Sequence, residues 1–185
     1  MTNRLFVAVK IPQPVAEKIE EIRKEAYPVP NNYRWEPKEK YHLTLKFLGD
    51  IEVSRNEAII NALDEVASRN AKISLEFDKF GFFKKSPVAG ILWFGFKAGK
   101  NIYDIAEQTD IKLNGLGFER EKRPFKPHLT LLRLKGNEDP NLLKSILDFN
   151  VPQADFVADE LALMESELLQ KGSLYKEVTK FKLNY

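Results

Sequence analysis

The feature that most constrains this chain is a tetrapeptide that occurs twice. His42-Leu43-Thr44-Leu45 and His128-Leu129-Thr130-Leu131 stand 86 positions apart, and together they hold both histidines of the 185 residues. Thr is scarce as well, with five in the chain and two of them here. At ordinary residue frequencies, a second His followed by the same Leu-Thr-Leu arises by chance roughly once in a few thousand. So long a period indicates a duplicated lobe rather than a solenoid. Alternation along a strand then puts His and Thr on one face and the leucines on the other. In the first copy Leu43, Leu45 and Phe47 are expected in the core, and in the second Leu129 and Leu131. Packed about a pseudo-two-fold axis, the copies would bring two imidazoles and two hydroxyls into one space.

Hydrophobic periodicity around the motifs alternates between strand and helix. Leu5–Lys10 reads as a buried strand, and Val15–Ala26 as a helix with Val15, Ile19, Ile22 and Ala26 on one face. Residues 27–39, with three prolines, form a loop carrying Tyr33 and Trp35. His42–Leu48 is a strand ending at Gly49-Asp50, and Ser54 is the expected N-cap, with Glu57, of a helix to Ser68. Lys72–Phe80 and Ile91–Lys97 are strands joined by a loop containing Lys84, Lys85 and Pro87. Asn101–Leu113 is an amphipathic helix stopped by Asn114-Gly115. His128–Leu134 is a strand, Asp139-Pro140 opens a helix to Leu147, and Asp155–Met164 and Leu174–Leu183 close the chain as strands. About seven strands and four helices result. The expected fold class is α+β, a bilobal duplicated fold with mostly antiparallel pairing. No Gly- or Ser-rich linker divides it, so residues 1–185 read as one domain of two similar lobes.

Composition removes several chemistries. Without Cys there are no disulfides, thiolate nucleophiles or Cys-ligated metals. There is no P-loop and no Gly-x-Ser-x-Gly, and Gly115-Leu116-Gly117 stops short of a dinucleotide fingerprint. No apolar run approaches a membrane span, and the stretch before Leu5 is too short for a signal peptide. A soluble cytoplasmic monomer is the expectation. The net charge of +2 argues against a grip on many phosphates, so any nucleic-acid contact should be short and local.

Imidazole titrates near neutrality, so one ring can act as base while its neighbour acts as cationic acid. That division suits a phosphodiester, with one His deprotonating water and the other protonating the departing ribose oxygen. Thr44 and Thr130 can donate to non-bridging phosphate oxygens. No metal or other cofactor is required, and neither motif offers the carboxylates or Cys that would complete a metal site. Arg120, Lys122, Arg123, Lys126 and Arg133 surround the second motif and suit an anionic transition state. Tyr33, Trp35 and Tyr41 are candidates to stack a base, although Trp35 packing beneath the first motif is an equal reading.

The His-Leu-Thr-Leu pair resembles the signature of the two-histidine (2H) phosphoesterases. The longer segments His42-Leu43-Thr44-Leu45-Lys46-Phe47-Leu48-Gly49 and Arg123-Pro124-Phe125-Lys126-Pro127-His128-Leu129-Thr130-Leu131 resemble the bacterial and archaeal RNA 2′,3′-cyclic phosphodiesterase branch, historically called 2′-5′ RNA ligases. Arg4-Leu5-Phe6-Val7-Ala8, the Trp35 segment, Leu92-Trp93 and Glu165-Ser166-Glu167-Leu168 with Gly172 and Tyr175 are similar too. The resemblance implies two antiparallel sheets lining a central cleft with helices outside. It implies a substrate, RNA with a 2′,3′-cyclic phosphate end, opened to a 2′-phosphomonoester. It also implies His42 as proton donor, His128 as proton acceptor, and Arg133 as a contact to the substrate phosphate. The family usually has Ala or Gly before that Arg, so Leu132 is expected to narrow the cleft. Strict alternation would turn Arg133 away from His128 unless the strand bulges. Two further readings stay open: an RNA-end binding module with little turnover, and 2′-5′ ligation at the same site.

Overall fold

A computed structural model describes residues 1–86, 89–169 and 172–184, so Pro87 lies outside the described residues. The apolar run after Arg4 becomes the central strand β1 (Thr2–Lys10), whose Leu5–Val9 are buried on both faces. It is followed by α1 (Gln13–Ala26), β2 (His42–Glu52), α2 (Asn56–Ser68), β3 (Ile73–Lys84), β4 (Gly90–Ala98) and α3 (Lys100–Gly115). Then come β5 (His128–Leu134), α4 (Pro140–Leu147), β6 (Asp155–Ala158), β7 (Glu160–Leu169) and β8 (Gly172–Lys182). Two four-stranded antiparallel sheets result, in the orders β2-β1-β7-β8 and β5-β4-β3-β6. The two histidine strands are therefore edge strands, one per sheet, and they approach each other. The class is α+β, as the sequence pattern indicates.

The two halves of the sequence are not the two sheets. The unit β1-α1-β2 is repeated as β4-α3-β5, in each case an antiparallel pair joined through a helix. After the first unit and α2, however, the chain enters β3, which belongs to the second sheet. After the second unit, α4 and the short β6, it enters β7, which belongs to the first. Each half thus donates its next long strand to the other's sheet, and one contiguous apolar core runs through both.

This exchange explains a correction. Asp155–Met164 reads as one strand but forms two, because β6 pairs with β3 while β7 pairs with β1 and β8. Asp159 is the crossing point, and its carbonyl accepts from Leu183 N at 2.8 Å. Ala158 is buried before the break, and Leu161, Ala162 and Leu163 are all buried after it, because β7 enters the first sheet between β1 and β8. Ser54 is not an N-cap either. Val53–Arg55 form a 3₁₀ turn and α2 begins at Asn56 without a side-chain cap. The stop of α3 lies two residues beyond Gly115: Gly117, at φ +90°, donates to Asn114 O at 2.8 Å and Phe118 to Leu113 O at 3.1 Å, a Schellman closure. Asp139 does cap α4, accepting from Asn141 N at 2.8 Å.

Register decides what each histidine strand shows to the cleft. Ala8 pairs with Thr44 but Val7 with Lys46, so Leu45 is an extra residue in β2. In β5, Trp93 pairs with Thr130 but Leu92 with Leu132, so Leu131 is the equivalent extra residue. A bulge of this kind reverses the facing of the side chains that follow it, in β2 as far as Leu48, a second extra residue between the partners of Phe6 and Leu5. Phe47, expected in the core, is instead 64% exposed and packs against Phe6 beside His42. Lys46 takes the core side. Its ammonium, 3% exposed, donates to Asp110 Oδ1 on α3 at 2.6 Å and to Glu119 O at 2.6 Å.

Asp110 also accepts from Arg120 Nε and from Glu121 N at 3.2 Å. The segment leading to the second motif is thereby tied to the strand that carries the first. Burial pushes the Asp110 carboxyl up, but the hydrogen bonds from Lys46 and Arg120 outweigh it and hold the group below its ordinary value. Its contribution to stability is therefore present at neutral pH and lost as the pH falls below the usual Asp range. Asp110→Ala should strand the buried Lys46 ammonium and cost about 3–5 kcal/mol in urea unfolding. Lys100→Ala, which breaks the exposed pair with Asp104, should cost under about 1 kcal/mol. Equal small losses would show that the Lys46 pair carries no such weight.

Candidate active site

The facing edge strands enclose a cavity of about 980 Å³ lined by His42, Thr44, His128, Thr130 and Arg133. The bulge at Leu131 is what brings Arg133 in, because it turns residue 133 to the face of His128 and Thr130. By the same shift Leu132 enters the core, 2% exposed, so the expected narrowing of the cleft by this side chain does not occur. Phe47 and Arg133 occupy equivalent places, five residues after their histidines, and both line the cavity.

The two imidazoles are held alike. Nδ1 of His42 donates to Lys40 O at 2.7 Å, and Nδ1 of His128 to Lys126 O at 2.6 Å. A carbonyl only accepts, so each Nδ1 carries a hydrogen and each Nε2 is the nitrogen that titrates. Nε2 of His42 lies 3.1 Å from Thr44 Oγ1. Each ring also sits between aromatics. Phe6 and Tyr175 flank His42 at centroid distances of 4.9 and 5.3 Å, and Phe83 and Trp93 flank His128 at 5.0 and 6.0 Å. Trp93 fits because Gly81 has no Cβ; one there would stand 2.0 Å from the indole Cζ2.

This packing sets the electrostatics. Burial pushes His42 below its ordinary value of 6.5; the Lys40 carbonyl opposes, while Arg133 and His128 push the same way. Burial lowers His128 too, with the Lys126 carbonyl opposing and the Lys126 ammonium assisting. Both rings are thereby biased toward the neutral form. An anion placed between them would restore a proton to one.

Charge is concentrated here. Eight cationic side chains and four carboxylates line the cavity, against a net charge of +2 for the whole chain. Of the basic run before the second motif, Lys122, Arg123 and Lys126 reach the cavity, while Arg120 is occupied by Asp110 and Glu107. Among the described residues no group of three or more His, Asp or Glu is gathered as a metal site would require. No described helix is long and apolar enough to cross a membrane.

The aromatics proposed from sequence to stack a base do not line this cavity. Tyr41 is buried and donates to Glu20 Oε2 at 3.0 Å, Tyr33 OH accepts from Asp139 N at 2.7 Å, and Trp35 lies beneath the Arg23 guanidinium. Phe47, Phe83, Tyr103, Phe125 and Tyr175 line it instead. Sequence reasoning also missed Glu36, which stands 3.9 Å from Arg133 Nε. Its loop docks on β5 through a Trp35–Leu132 bridge and a bond from Glu36 N to Leu131 O at 2.8 Å. Nothing in a proline-rich loop announces such a contact.

Known proteins share both the sequence and the fold. The family model described as LigT like Phosphoesterase matches residues 9–93 and 97–175, which include both histidine strands. The RNA 2′,3′-cyclic phosphodiesterase of Archaeoglobus fulgidus is 32% identical over 179 residues, covering 96% of this chain and 99% of its own length. That of Methanocaldococcus jannaschii is 30% identical over 177 residues, covering 95% and 98%. The crystal structure of E. coli LigT complexed with 3′-AMP has the same fold, with a TM-score of 0.80 at 23% identity over the full length of both chains. With both histidine motifs on facing edge strands and the family model matched across most of its length, this chain belongs to the LigT-like phosphoesterase family.

Proposed function

We propose that this protein hydrolyses the 2′,3′-cyclic phosphate at an RNA end to a 2′-phosphomonoester by paired-histidine acid–base catalysis without a metal. One observation carries the reading: both imidazoles line one cavity with Nδ1 fixed on a carbonyl, which leaves each Nε2 to exchange protons. The names of the relatives supply the reaction class. His128 takes a proton from water as its oxygen bonds to phosphorus. The bond from phosphorus to the 3′-oxygen breaks, and His42 gives that oxygen a proton. One water is consumed and the two rings have exchanged protonation states. Thr44 and Thr130 donate to the non-bridging oxygens, and Arg133 offsets the charge that builds on them. On this reading residues 1–185 work as one cytoplasmic monomeric unit with RNA as partner and no cofactor.

His42→Ala and His128→Ala should each lower kcat at least about a hundredfold on a cyclic-phosphate-ended RNA, with substrate affinity within a few-fold of the parent. Near-normal rates in both variants would refute the acid–base roles. Turnover should persist in EDTA, and loss of it there would overturn the metal-free mechanism. Chromatography of the product should show the 2′-monoester; a 3′-monoester would exchange the leaving oxygen.

The pH profile follows from the depressed imidazoles. The reactive free form has one ring protonated and one neutral, and both rings lose their protons below the ordinary 6.5. The bell in kcat/KM should therefore peak below pH 6.5. The bound phosphate favours the charged ring, so the alkaline limb of kcat should lie at higher pH than that of kcat/KM. A flat profile between pH 5 and 9 would count against paired imidazoles.

A further inference from the structure

Of the four carboxylates that line the cavity, three stand with cations that the chemistry does not use. Asp110 and Glu107 pair with Arg120, and Glu121 is 4.0 Å from the Lys46 ammonium. The fourth, Glu36, stands 3.9 Å from Nε of Arg133, the guanidinium that the hydrolase reading sets against the phosphate. A carboxylate in that place opposes the binding of any anion, so its presence needs a physical reason.

Two ordinary reasons do not apply. At 3.9 Å the pair lies beyond hydrogen-bond distance, so the carboxylate does not fix the orientation of the guanidinium. Nor does it hold its own loop, which docks on β5 through the Glu36 backbone N–H and the Trp35–Leu132 bridge. Trp35 is held in turn, with Nε1 donating to Asn31 Oδ1 at 3.0 Å and the Arg23 guanidinium 4.4 Å from its ring centroid. The backbone thus keeps a 23%-exposed carboxylate beside Arg133. Of the other cations toward this end, Lys40 donates to Ser173 O at 2.6 Å, and Lys84 and Lys85 are exposed on the β3–β4 hairpin, where solvent screens them.

The reaction changes the charge of the phosphate. The cyclic diester carries one negative charge. Adding water gives a monoester with a second acidic oxygen, whose proton leaves at a pH of about 6, so the product is a dianion at neutral pH and above. Coulomb energy is proportional to charge. A lone guanidinium would therefore hold the product more tightly than the substrate. A guanidinium beside a carboxylate presents little net charge, and the second negative charge then gains little by staying.

We propose that Glu36 sets the charge specificity of the phosphate site: beside Arg133 it admits the monoanionic cyclic diester and disfavours dianionic monoesters, so that the 2′-phosphomonoester leaves. The role rests on the hydrolase reading above, because that reading places the phosphate at Arg133.

The test measures, at pH 7.5, KM for adenosine 2′,3′-cyclic phosphate and the inhibition constant of adenosine 2′-monophosphate in the parent and in Glu36→Gln. This variant keeps the backbone contacts of the loop and removes the charge. Its inhibition constant should fall about tenfold. KM should fall only about threefold, because a monoanion feels half the change in Coulomb energy. Glu36→Asp should behave as the parent does. Glu107→Gln, which neutralises a carboxylate beside Arg120 instead, should move the inhibition constant less than about twofold. An unchanged or raised inhibition constant in Glu36→Gln would overturn the role. So would equal shifts of KM and the inhibition constant, or an equal fall in Glu107→Gln. With turnover by the parent, any of these results sinks the role of Glu36 alone and leaves the hydrolase reading standing. No turnover by the parent would overturn that reading and this role with it.

Discussion

A strand that carries His at one position and Thr two later presents both to one face, and its fifth following residue would normally point the other way. An extra residue directly after the Thr, Leu45 in β2 and Leu131 in β5, reverses that outcome. The reversal puts Arg133 in the cavity and Leu132 in the core, and it exposes Phe47 while burying Lys46 against Asp110. An uninterrupted strand would turn the Arg133 guanidinium away from the cavity and Lys46 away from Asp110. The rest of the site depends on these two insertions.

Lys46 and Asp110 show what the first bulge entails. Placing an ammonium in the core is costly unless its hydrogens are satisfied, and here a carboxylate and the carbonyl of Glu119 satisfy two of them. The same carboxylate receives Arg120 and Glu121 N, so it gathers the segment that ends in Arg123, Phe125, Lys126 and His128. One motif thus helps to locate the approach to the other. The exchange of β3 and β7 between the sheets acts in the same direction, since neither half of the sequence supplies a complete sheet.

Aromatic packing completes the site. Phe6 and Tyr175 confine one imidazole, Phe83 and Trp93 the other, and the resulting loss of hydration favours neutral rings. The carbonyls of Lys40 and Lys126 fix the hydrogen on each Nδ1 and leave each Nε2 as the nitrogen that titrates.

The sequence by itself determined the two strands, the shared face of His and Thr, most element positions and the α+β class, because these follow from the local period of side chains and from turn residues such as Asp139. It pointed the wrong way at Phe47. An apolar residue after Leu43 and Leu45 continues the core pattern, and only pairing with β1 shows that Leu45 is extra. It also concealed the break at Asp159, which falls inside a segment that reads as one strand, and the approach of Glu36 to Arg133. Tertiary structure alone decided which strand entered which sheet, where Lys46 found its counter-ion and which aromatics enclosed the histidines. The physical reason is range: alternation and caps depend on neighbours a few residues away, whereas register, strand exchange and ion pairing depend on residues brought together from distant parts of the chain.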